Sequence, residues 1–167
     1  MVIHTRPELI HARQEMTRTH QTAPTQFVEA NAIRFAYRRF GKAGGVPLVF
    51  NQHFTGTMDH WDPAVTDGLA ATREVILFNN AGVSSSSGEV PTSCEQMGMN
   101  AVSFIKALGL PKVDVLGFSM GGFVAQEITL QAPDLVRAPG PGRHRAAQRR
   151  RHGDPHARGA GNLRRHL

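Results

Sequence analysis

A chain of 167 residues has room for one domain, and its apolar content of 40% is slightly low for a packed globule. The formal charge of +6 is confined to one end: residues 1–137 hold 11 Lys and Arg against 12 Asp and Glu, whereas residues 138–167 hold eight Arg and one acid, so a uniformly basic nucleic-acid-binding body is excluded. A single cysteine, Cys94, excludes an intrachain disulfide and gives no zinc spacing, and no apolar run approaches the ~18 residues of a membrane span.

Residues 1–25 are polar and weakly patterned, and read as a mobile leader with one helical turn; Met16 is an alternative start. The leader has no apolar stretch of secretory type, so a cytoplasmic location is expected. From Phe27 the pattern changes. Phe27–Glu29 and Ile33–Phe40 alternate in strand fashion around an Ala30-Asn31-Ala32 turn. Val46–Phe50, Val75–Phe78 and Val113–Leu116 are short continuous apolar runs, as expected of strands covered on both faces. Trp61–Ala71 is expected to hold a short helix. Between Ser93 and Leu108 the residues Met97, Ala101, Phe104, Ile105 and Leu108 recur at helical spacing, and Gly109 and Pro111 end the run. Cys94, near that helix start, is expected to be a small half-buried side chain with no reactive role. Two antiparallel strands followed by strand–helix alternation argue for an α/β sheet, mostly parallel with an N-terminal antiparallel hairpin.

Gly117-Phe118-Ser119-Met120-Gly121 carries the chemistry. It directly follows the third apolar run and precedes a helical pattern from Met120 to Gln131. A serine between a strand and a helix sits in a sharp turn that projects its hydroxyl above the sheet. The flanking Gly117 and Gly121 let strand and helix approach without Cβ clashes, and Gly122 serves the same packing. The Met120 N–H would point at a developing oxyanion, helped by the positive end of the helix.

With these features the chain resembles the α/β-hydrolase fold family, in its esterase and cofactor-free haloperoxidase-like group. Pro47–Trp61 is similar to the family's strand and loop written P-L-V-x-x-H-G-F-x-G-x-x-x-x-W, with Phe54 at the oxyanion position, Gln52 in place of His and His53 in place of Gly. Phe78–Ser86 resembles the family's next loop, with Asn79 where Asp is common. The resemblance covers residues 27–137. It implies Ser119 as nucleophile, the Met120 and Phe54 N–H groups as oxyanion hole, an ester-like small-molecule substrate attacked through an acyl-enzyme, and no metal or organic cofactor.

The family's triad order is serine, acid, histidine, which makes the upstream His53 and His60 improbable bases and favours a loop-orienting role for both. Asp114, in the strand before the elbow, is expected to be structural. No triad acid and no triad histidine are identified, because nothing holds His144, His152, His156 or Asp154 near Ser119. The chain is therefore expected to be a truncated, inactive hydrolase, with its elbow strand left as an exposed edge prone to self-association.

After Arg137 the pattern ceases. Residues 138–167 contain no Val, Ile, Phe, Met, Trp or Tyr and only two Leu, so they are expected to be an Arg-rich disordered tail. Back-translation from Arg137 with G/C-rich codons, read one base later, yields an apolar strand, a small-residue turn and a helix-like segment. This predicts a single-base shift near codon 137; an alternate frame interrupted by stops would sink it. The rival is a non-enzymatic, hydrolase-derived protein whose tail binds nucleic acid or anionic surfaces. Nucleic acid is the weaker expectation, since the tail has no aromatic residue to stack on bases.

Overall fold

The computed structural model describes residues 18–137. The expectations for residues 1–17 and for the basic segment 138–167 lie outside the described residues. Strands β1 (Gln26–Ala30) and β2 (Ile33–Gly41) form a hairpin, followed by β3 (Leu48–Asn51), a 3-10 turn (Met58–His60), α1 (Pro63–Ala70), β4 (Glu74–Phe78), α2 (Cys94–Ala107), β5 (Asp114–Gly117) and α3 (Met120–Gln131). The sheet order is β1-β2-β4-β3-β5. The hairpin and the β2–β4 pair are antiparallel, and β4–β3 and β3–β5 are parallel.

Every expected element is present, with ends displaced by a residue or two. Asn31 and Ala32 both take positive φ, 49° and 61°, the geometry of a two-residue turn whose twist matches the strands it joins. The residues before the second helix explain its start: the Ser93 side chain accepts from Gln96 N. Helix α1 starts at Pro63 because the Asp62 side chain accepts from Ala64 N and proline suits the first helical position.

Alternation along the strands sorts the core onto two faces. Phe35, Tyr37, Val49, Ile76 and Phe78 face α2 and α3, where they meet Phe104, Ile105, Val124 and Ile128. Ala36, Phe40, Leu48, Phe50, Val75 and Leu77 form the other layer with Met58 and Ala70. Phe104 is fully buried and stacks on Phe78 at 4.6 Å between ring centroids. Strands β3 and β4 are buried along their whole length, as expected for a sheet covered on both sides, whereas every residue of β5 is half-buried.

Part of the expected leader is not loose. Ala23 N donates to Thr19 O at 2.8 Å, closing one helical turn. His20 and Ala23 are buried against α1. His20 N donates to Asp67 Oδ1 at 2.7 Å, and the ring's Nδ1 lies 2.9 Å from Thr66 Oγ1. Burial lowers the imidazole pKa below its ordinary 6.5; Arg38 lowers it further, while Asp59 and Asp67 oppose the shift. Below the ordinary value the unfolded chain takes up the proton more readily than the folded one, so this histidine's contribution is full above that value and is lost as pH falls through the window beneath it. The urea midpoint is therefore expected to be lower at about pH 5.5 than at about pH 7.5. His20→Gln should narrow that difference; an unchanged difference would refute the assignment.

Strand β5 is the sheet's edge. Among the described residues its outer side is covered at the preceding Val113, whose N–H donates to Leu135 O at 2.9 Å and whose carbonyl accepts from Arg137 N at 2.8 Å. Continued in this parallel register, the ladder would need N–H groups from positions 139 and 141 for the carbonyls of Val115 and Gly117. Both positions are proline and have no N–H to give.

Candidate functional site

The site is built where β5 ends and α3 begins. Ser119 takes φ 55° and ψ −121°, a conformation that L-residues rarely adopt and that a packed surround must impose. It is the N-cap of α3, yet its side chain makes no capping hydrogen bond. The turn is closed instead by Gly121 N donating to Phe118 O at 3.0 Å and Gly122 N to Ser119 O at 2.9 Å. The Ser119 hydroxyl is thus exposed at the C-terminal end of the parallel strands, and the Met120 N–H takes no part in these turn bonds.

Two glycines make this turn possible. A Cβ on Gly117 would lie 2.1 Å from Gly121 O, and a Cβ on Gly121 would lie 2.0 Å from Asn51 O and 2.6 Å from Gln52 O. These are contacts with backbone, which has little freedom to retreat. They also show what the close approach achieves: the start of α3 rests on the end of β3, three residues before Phe54. The elbow and the expected oxyanion loop therefore share one end of the sheet.

The loop after β3 is held from beneath. Gln52 is 1% exposed; its Nε2 donates to the Phe78 carbonyl and its Oε1 accepts from the Trp61 indole at 2.9 Å. Asn79, fully buried, accepts from Met58 N at 2.8 Å through Oδ1 and donates from Nδ2 to Ser85 Oγ at 3.3 Å. Ser86 Oγ donates to the Asn79 carbonyl and accepts from Ala36 N, both at 2.9 Å. Sequence reasoning named Gln52 and Asn79 only as departures from a pattern and missed this supporting role. The available signal was an amide at the end of each of two apolar strands, where a buried polar group must find partners.

Above this base, Gly56 N donates to His53 O at 3.0 Å, so the loop turns at Phe54, whose side chain is 78% exposed. His53 stacks on His60 with centroids 5.9 Å apart and meets the edge of the Phe118 ring at 6.1 Å. Phe118 also approaches Trp61, at 6.4 Å. His60 has a loop-orienting role, as expected: its Nδ1 accepts from Thr57 N at 3.2 Å and completes a capping box with the Thr57 side chain.

Asp114 lies at the opposite end of β5 from Ser119 and is structural. Its carboxylate accepts from Arg137 Nε at 2.9 Å and from the Nη2 atoms of Arg137 and Arg73 at 2.5 Å. Cys94 is half-buried at the start of α2, as expected. Among the described residues, no group of three or more His, Cys, Asp or Glu side chains could hold a metal ion, and no helix is long and apolar enough to cross a membrane.

Comparison with known proteins agrees with this geometry. Residues 46–138 match the alpha/beta hydrolase fold family. A solved alpha/beta hydrolase fold protein from Chitinophaga pinensis is 48% identical with a TM-score of 0.70, covering 72% of this chain and 44% of that one. The structure of Est816, described as an N-acyl homoserine lactone degrading enzyme, is 27% identical with a TM-score of 0.59, covering 66% of this chain and 42% of that one. A protein of Azorhizobium caulinodans carrying the name carbamate hydrolase RutD is 30% identical over 95 residues, 56% of this chain and 36% of its own. The chain thus spans less than half the length of these relatives. More than half of its residues match the family, with the expected antiparallel hairpin leading into parallel strands and a serine in the strained turn: the chain belongs to the alpha/beta hydrolase fold family.

Proposed function

We propose that Ser119 is the nucleophile of a serine hydrolase acting on ester-type bonds through an acyl-enzyme, with the N–H groups of Met120 and Phe54 as the oxyanion donors. The observation that carries this reading is the backbone of Ser119, φ 55° and ψ −121°, which presents an uncapped, exposed hydroxyl at the N-terminus of α3. Attack by the Ser119 hydroxyl oxygen on a carbonyl carbon forms the tetrahedral oxyanion; its collapse expels the alcohol and leaves the acyl group on Ser119, which water then removes. Acyl chemistry is favoured by the serine itself, and the lactone-degrading relative fits an ester-type bond.

Activation of the hydroxyl requires a base to take its proton. His53 and His60 are engaged with each other and with the loop, and Asp114 is held by two arginines at the other end of β5. The 167-residue chain is therefore expected to hydrolyse p-nitrophenyl acetate within about tenfold of its Ser119→Ala variant. The nucleophile assignment is tested in a chain whose reading frame is shifted by one base at codon 137. There Ser119→Ala should lower kcat/KM by about 10⁴-fold or more. Hydrolysis in the frame-shifted chain that survives Ser119→Ala would refute Ser119 as nucleophile. A large loss on Ser119→Ala in the 167-residue chain would refute its inactivity.

A further inference from the structure

The end of the sheet remote from Ser119 carries a concavity of about 440 Å³, lined by residues that include Lys42, Gly44, Gly45, Thr72, Arg73 and Arg137. Three cationic side chains border it, and the acid placed among them is Asp114, already shared by Arg73 and Arg137. One carboxylate between two guanidinium groups leaves a local excess of positive charge, to which Lys42 adds. Arg73 reaches the Val46 carbonyl at 2.9 Å through Nη2, which fixes its guanidinium against β3. Its Nε is buried and, among the described residues, has no hydrogen-bond partner. A buried donor without an acceptor is costly, more so when it carries charge.

Glycine lines the other wall. Gly44 takes φ 98°, and a Cβ on Gly44 or Gly45 would meet nothing within 4 Å, so backbone there is open to a ligand. An oxyanion in this concavity would lower the charge excess and supply acceptors for the surrounding donors. A phosphate group carries more negative charge and more acceptor oxygens than a carboxylate, and so suits three cationic side chains better.

We propose that this concavity is a binding site for a small molecule bearing a phosphate group, held by Lys42, Arg73 and Arg137. Asp114 acts as the clamp that keeps the two guanidinium groups together. The site lies at the opposite end of β5 from the elbow and is independent of the chemistry at Ser119.

The test uses inorganic phosphate and the full chain, titrated calorimetrically at constant ionic strength with chloride as the balancing anion. Saturable one-to-one binding is expected. Lys42→Ala should weaken it by about tenfold while Lys42→Arg retains it. Lys42 is exposed, and its backbone N–H bonds to Ala70 and Arg73 do not depend on its side chain, so both variants should fold. Affinity unchanged in Lys42→Ala would mean that the anion is held without Lys42, away from the site described, and would overturn the proposal. Absence of saturable binding to the parent chain would overturn it as well.

Discussion

Gly121→Ala is expected to leave little folded protein. The new Cβ would sit 2.0 Å from Asn51 O and 2.6 Å from both Asn51 C and Gln52 O. Ordinary overpacking costs about 1–3 kcal/mol because side chains move aside. Here the obstacles belong to the end of β3, a strand paired on both sides by β4 and β5. Relief requires parting α3 from the sheet and exposing Val124 and Ile128, which are 1% and 0% exposed. A loss beyond about 3 kcal/mol, against a total of about 5–15 for a typical domain, should show as a collapse of the soluble fraction or of the urea midpoint. Gly122→Ala is the control, since a Cβ there meets nothing closer than Gly117 O at 3.8 Å. If both variants unfold alike, close approach at Gly121 is not what defines the elbow.

Gln52→Leu is the second large effect expected. Leucine fills a similar volume but strips the Phe78 carbonyl and the Trp61 indole of the partners that Gln52 provides. A buried group left unmet costs about 1–3 kcal/mol, and the figure is smaller for Trp61, which is half-buried. A fall in stability of about 2–4 kcal/mol is therefore expected from equilibrium urea unfolding. Gln52→Glu, which keeps one acceptor for the indole but places a carboxylate oxygen against the Phe78 carbonyl, should be at least as damaging. Wild-type stability in Gln52→Leu would mean that the loop bearing Phe54 is held by its aromatic contacts with Phe118 and Trp61 instead.

The fold was largely legible in the residues because its signals are local. Continuous runs such as Val75–Phe78 cannot face water on either side, and the spacing of Met97, Phe104 and Ile105 fits one face of a helix; both are buried as that logic requires. The motif around Ser119 was legible because few residue combinations permit a strand to turn into a helix within one residue. His20 was not legible. Nothing near it in the chain indicates burial, and its partners Thr66 and Asp67 lie more than forty residues away. Asp114 was read as structural from its place before the elbow, but its arginine partners come from two distant segments that meet at the sheet's lower end.

By itself the sequence determined the element order and the place of Ser119 in a turn between a strand and a helix. These follow from side-chain polarity, period and the steric demands of glycine, which act between near neighbours in the chain. Tertiary structure alone decided that β4 lies between β2 and β3, that Gln52 and Asn79 support the loop above them, and that Lys42, Arg73 and Arg137 border one concavity. Each of these depends on which strands lie side by side. That order is set by the packing of both sheet faces, a property of the whole chain that no short stretch of residues encodes.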